Sequence, residues 1–182
     1  MRLHIALDDA LVSELDRRAG ARRRSAFIAE LIQRGLDDER RWDDIEAALG
    51  QLGESGHDWD ADPAAWVQAQ RRGDGLAGLR RMGVEPWVCV ISVEEIWRGV
   101  RPTEEQVVRR LFKGLRLAPL GVAEGEQAGR WRRDLAGRGV TVHQADCLIA
   151  AAAVGVGATL ATANVADFPM PEVVVEHWPI GE

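Results

Sequence analysis

The sequence predicts an α/β domain carried behind a small strand–helix–helix unit. Three observations predict it. Residues 2–7 alternate apolar and polar side chains and are followed by two stretches with helical apolar spacing. From Leu76 onward, helical stretches alternate with short apolar runs. Between these parts lies an acidic stretch with isolated tryptophans and no core pattern.

In the first segment, Leu3, Ile5 and Leu7 fall on one face of a strand, and Arg2, His4 and Ala6 on the other. Asp8 or Asp9 caps a helix with Leu11, Val12 and Leu15 at helical spacing, ended by Ala19-Gly20. Arg22, Arg23 and Arg24 lead to Ser25, an N-cap candidate for a second helix bearing Phe27, Ile28, Leu31, Ile32 and Leu36. A unit of about 40 residues buries too little to stand alone. Pairing of two copies through the strands is therefore expected.

Acids then dominate from Asp37 to Asp62. Ile45, Leu49 and Leu52 suit a short amphipathic helix, broken at Gly53-Glu54-Ser55-Gly56. Trp59, Trp66, Arg71 and Arg72 follow in a polar context, as in an extended arm that buries its aromatics on another surface.

In the α/β segment, a helix near Leu76–Met82 leads to a strand at Trp87–Ile91, with Ser92 capping a helix that holds Glu94, Glu95, Ile96 and Trp97. Pro102-Thr103-Glu104-Glu105 opens a further helix, and Leu115–Leu117 is a short strand. Val122–Arg138 is helical with Trp131 and Leu135 inward, and Ala145–Val156 is a helix of small residues. Thr159–Ala161 and Val173–Val175 complete the strands, and the alternation implies a parallel sheet. The expected domains are residues 1–50, an arm at 51–75, and 76–182.

The bulk numbers restrict function. A net charge of -6 means that any nucleic-acid contact must come from a local basic patch. Cys89 and Cys147 lie in apolar runs and read as core thiols of a reducing compartment, not as a disulfide framework. The N-terminal residues form no long apolar stretch, so the expectation is a cytoplasmic protein without a membrane partner.

Leu7-Asp8-Asp9 after the strand, and Arg24-Ser25-Ala26-Phe27-Ile28 entering the second helix, resemble the ribbon-helix-helix family, specifically VapB-type antitoxins, across residues 1–40. The resemblance implies a homodimer whose paired strands enter the major groove of operator DNA. Arg2, His4 and Ala6 would face base edges. Arg22, Arg23, Arg24 and Ser25 would hold phosphate at the start of the second helix. Ala6 departs from the polar residue such families often place there. The segment with Trp59, Trp66, Arg71 and Arg72 looks like the toxin-binding tail of these antitoxins.

Glu95 in Ile91-Ser92-Val93-Glu94-Glu95-Ile96, Asp146 in Ala145–Ala150 and Asp167 in Thr162–Phe168 fall near strand ends or helix starts, where open α/β sheets place their sites. These motifs resemble the PIN-domain family, as in VapC toxins, over about residues 71–182. The resemblance implies that Glu95, Asp146 and Asp167 bind Mg²⁺ or Mn²⁺ for RNA cleavage, with Thr162 and Asn164 shaping the site. Glu94 is one position off and belongs to a solvated face.

Family members begin with an apolar strand ending in a metal-binding Asp, at the middle of the sheet. Between Leu52 and Leu76 no run of four Val, Ile or Leu residues occurs, so that strand and its Asp are missing. Asp62 is followed by Pro63 and preceded by polar residues, which a buried strand would not carry. The expectation is a type II antitoxin fused to a PIN-like parallel α/β toxin domain lacking its first strand, with catalysis impaired. The alternatives are an active endoribonuclease inhibited in cis, and a non-catalytic module that binds related antitoxins or toxins.

Overall fold

The computed structural model describes residues 5–49, 51 and 74–178. The chain forms two compact units, Met1–Arg40 and Arg41–Glu182. The division falls inside a helix, before the boundary expected at residue 50.

In the first unit, residues 5–8 are without sheet pairing among the described residues. Residues 2–4 of the strand expected at 2–7 lie outside the described residues. Helix α1 spans Asp9–Ala19. Asp8 is extended (φ -72°, ψ 162°) and its carboxylate accepts the Leu11 N–H at 2.7 Å, the capping expected of it. Gly20 adopts φ 74°, a left-handed value that lets the chain turn sharply. A 3₁₀ turn, Ala21–Arg23, then runs straight into α2.

Helix α2 spans Arg24–Leu49, 26 residues or about 39 Å at 1.5 Å per residue. It overturns two expectations. Ser25 is not its cap, because Arg24 before it is already helical (φ -48°, ψ -53°). The acidic stretch does not end it either. From Leu36 to Leu49 there is neither glycine nor proline, and the acids find partners along the helix. Asp37, for example, accepts from Gln33 at 3.0 Å and Arg40 at 3.1 Å. The expected separate short helix at Ile45 and Leu49 is simply the end of α2.

The second unit adds α3 (Asp74–Arg81), β1 (Trp87–Cys89), α4 (Val90–Gly99), α5 (Glu105–Gly114), β2 (Arg116–Ala118), α6 (Val122–Ala136), α7 (Gln144–Val156), β3 (Leu160–Thr162) and β4 (Val175–His177). The β1 strand is shorter than expected. Val90, Ile91 and Ser92 are already helical, and Cys89 takes the cap position in place of Ser92.

The strands are parallel, as expected, but among the described residues they make two sheets of two strands. β1 pairs with β2 (Val88 opposite Leu117), and β3 pairs with β4 (Ala161 opposite Glu176). Helix α7 packs against residues of both pairs. Cys147, Ala150 and Ala151 pack with Trp131 and Leu135 of α6 and with Leu160 and Val175. Ala152, Ile149 and Val156 pack with Cys89 of β1 and Ala118 of β2. Its alanines permit close approach on both sides, and Gly157 ends it at φ 67°.

Candidate functional site

The acid set is spread over separate elements. Glu95 is half-buried on α4, which touches α7, the helix carrying the half-buried Asp146. Each acid lies near a cysteine. Burial pushes the Cys89 thiol above its usual range, and the Glu95 charge adds to that shift. Burial likewise raises Cys147, with Arg132 opposing and Asp146 reinforcing. Both thiols are free and buried, as expected, and poorly suited to act as thiolates.

Asp167 ends an exposed 3₁₀ turn, Val165–Asp167, after β3. Its backbone N–H donates to the Asn164 carbonyl at 3.1 Å, and the Asn164 N–H donates to Thr162 Oγ1 at 3.1 Å. Thr162 is buried at the end of β3, opposite His177. These bonds hold the turn, so Thr162 shapes the loop that carries Asp167. The Asn164 side chain is exposed. Glu94 is exposed, in keeping with a solvated face.

A divalent cation of this kind needs several oxygen ligands converging on one point. Among the described residues, no three His, Cys, Asp or Glu side chains come together in that way.

Of the expected DNA-facing residues, Arg2 and His4 lie outside the described residues. Ala6, Arg22, Arg23 and Ser25 are exposed. Arg24 is engaged: its guanidinium forks onto both carboxylate oxygens of Asp16. This hydrogen bonding holds Asp16 below the usual carboxylate range and Arg24 above its own. A phosphate at Arg24 must compete with that pair. Trp59, Trp66, Arg71 and Arg72 of the expected arm lie outside the described residues.

The sequence reading overlooked the end of α2 as a docking element. Trp42, Ile45, Ala48 and Leu49 are buried and form one core with Val108 and Leu111 of α5, joined by Leu79 and Trp97. Ile45 is fully buried. Acids on the flanks meet bases. Asp44 takes Arg110 at 3.0 Å and Lys113 at 3.3 Å, while Arg80 of α3 reaches Asp43 at 3.0 Å and Glu46 at 2.8 Å. The signal is present in the spacing of Trp42, Ile45 and Leu49, whereas the expectation was a separate short helix of Ile45, Leu49 and Leu52.

No family model matches the chain, and no curated protein matches it in sequence. Among solved structures, a chain in the crystal structure of VapBC2 from Rickettsia felis, bound to a DNA fragment from their promoter, superposes with a TM-score of 0.54. The identity is 22%, over 64% of this chain and 95% of that one. Over the matched part, the helix-rich α/β fold is similar to that of this VapBC2 chain. The first unit has 40 residues, whereas 64% of 182 is about 116, so most of the VapBC2-like match falls on the second unit. No helix among the described residues is long and apolar enough to cross a membrane.

Proposed function

We propose that this chain is a fused type II toxin–antitoxin protein, a DNA-binding, self-pairing antitoxin unit joined to a PIN ribonuclease-like toxin unit with impaired catalysis. The observation that carries it is α2. One helix starts in the strand–helix–helix segment and ends as core of an α/β unit, in a chain with the VapBC2-like fold.

The antitoxin role rests on the first unit. Leu15 is its one buried residue among those described, while Ile5, Leu11 and Leu31 line an apolar trough of about 410 Å³. Such a unit gains stability by covering that trough with a second copy. The ligand is operator DNA, as promoter DNA is for the VapBC2 complex, with Arg22 and Arg23 as phosphate contacts.

Impairment is supported by two features among the described residues. The β1–β2 and β3–β4 pairs share no ladder, as expected if a central strand is missing. No three His, Cys, Asp or Glu side chains group together among the described residues, which agrees with a weakened site for Mg²⁺ or Mn²⁺. The alternative of a nuclease restrained in cis draws support from the α2 end seated on α5.

The test combines three measurements on the full chain. Anisotropy with the chain's own upstream DNA is expected to give specific binding that weakens steeply with salt. Calorimetry with Mg²⁺ or Mn²⁺ is expected to show no saturable site, and a structured RNA to remain uncut. Cleavage that disappears in Asp146→Asn would overturn impairment in favour of the restrained nuclease. Absence of DNA binding at low salt would overturn the antitoxin role.

A further inference from the structure

The corner between α1 and α2 is closed by hydrogen bonds, and Asp16 makes two of the links. Its backbone carbonyl accepts the Gly20 N–H at 2.9 Å, where φ reaches 74°. The Gly20 carbonyl in turn accepts the Arg23 N–H at 3.0 Å. The Asp16 carboxylate then takes the Arg24 guanidinium across the turn, Nε on one oxygen and Nη2 on the other. A two-point fork fixes orientation as well as distance, which a single charge contact does not. Packing does little to hold the turn: a Cβ at Gly20 would meet nothing within 4 Å, and Arg22 and Arg23 are exposed.

The three consecutive arginines therefore stand differently. Arg22 and Arg23 lie on the 3₁₀ turn and face outward, whereas Arg24 is partly buried and folded back onto α1. Phosphate contacts set a protein's register on a duplex, so they work only if the turn carrying them is held in place.

We propose that Asp16 and Arg24 form a clamp that positions Arg22 and Arg23 for DNA phosphate, and that Arg24 is a positioning residue and not a phosphate contact. The inference rests on the DNA-binding reading of the first unit. It reverses the sign expected of Asp16. An acid beside a DNA-binding face repels phosphate, and its removal tightens binding. An acid that holds the clamp strengthens binding, and its removal weakens it.

The test is anisotropy of the full chain with its own upstream DNA over a range of salt. Asp16→Asn is expected to weaken binding by about threefold or more, although it removes a negative charge. Arg24→Lys keeps the charge but loses the fork, and is expected to weaken binding to about the same degree. The double variant is expected to be no weaker than either single one, because both remove the same link. Arg24→Ala is expected to leave the salt dependence unchanged, whereas a lost phosphate contact lowers its slope by roughly one. Tighter binding by Asp16→Asn, wild-type affinity in Arg24→Lys, additive losses or a lowered slope in Arg24→Ala each overturn the clamp. Should Asp16→Asn fail to fold, Arg24→Lys and Arg24→Ala decide.

Hydrogen exchange on the same preparations separates this inference from the reading it rests on. If wild type binds no DNA, the antitoxin reading falls and exchange judges the clamp alone. Amides of residues 22–25 that exchange at least about tenfold faster in Arg24→Lys, with those of Val108–Leu111 unchanged, support a local clamp. Wild-type rates at this corner overturn it. DNA binding that survives at full strength in every variant removes only the clamp.

Discussion

At the scale of single residues, the charge pairs of α1 and α2 make the clearest predictions. Asp44 accepts from Arg110 and Lys113, and these bonds hold its carboxyl below the usual range near 3.8. A carboxyl depressed in the folded state stabilises it above its unfolded pKa. That contribution is lost as pH falls through the folded value. Stability is thus expected to fall below about pH 4, and Asp44→Asn to flatten part of that fall in denaturant titrations at successive pH values. Asp16, lowered by its hydrogen bonds from Arg24, follows the same sign. Burial of Cys89 and Cys147 predicts that neither thiol reacts with a thiol reagent in the native state, and that both react after unfolding. Prompt native labelling would contradict that placement. The caps show how local chemistry can and cannot be read. Asp8 was legible because its side chain bonds a backbone N–H three residues on. Ser25 was misread because the preceding 3₁₀ turn had already set the helix, which no residue type announces.

At the scale of elements, α2 decides most. Its docking on α5 depends on Gly114, so Gly114→Ala is expected to cost about 1–3 kcal/mol by overpacking against Ile45 and the Arg41 carbonyl. Ile45→Ala leaves a cavity at a fully buried position and is expected to cost about 2–5 kcal/mol. Chemical denaturation measures both, and a loss under about 0.5 kcal/mol in each would mean that the α2 end is not core. The helices α5, α6 and α7 were legible, to within a few residues, because their apolar spacing is regular. The strand at Trp87 was shortened to three residues, and the other three kept their length but lie one or two residues further on. Each is three residues long, so pairing sets its ends more than composition does. The Trp87–Ile91 run illustrates this: five apolar residues in sequence are divided between β1 and the first turn of α4.

At the scale of the whole molecule, the first unit is the least self-sufficient part. Leu11 and Leu36 are each 50% exposed and Ile5 51%. Leu31→Asp, which places a charge at the apolar trough, is expected to shift the full chain from dimer to monomer in light scattering. Under the proposed antitoxin role, the same change is expected to weaken DNA binding, because that role needs two copies paired. An unchanged mass and affinity would move the self-association elsewhere. Arg22→Ala/Arg23→Ala is expected to weaken DNA binding and to lower its salt dependence by roughly two phosphate contacts, with the dimer intact. The candidate site was legible only residue by residue. Glu95, Asp146 and Asp167 were found as acids near helix starts and strand ends, but whether they converge depends on how the elements carrying them pack.

The sequence by itself determined the order and kind of the elements from α3 onward, the capping at Asp8, the buried thiols and the parallel sense of the strands. Each follows from local spacing or from the helical connections between strands. Only the tertiary structure decided that α2 continues past its acids into the second unit's core. Only it decided that the four described strands form two pairs. These outcomes depend on contacts between residues far apart in sequence, among them Ile45 with Gly114 and Cys147 with Trp131. The free energy of such contacts is absent from any local pattern.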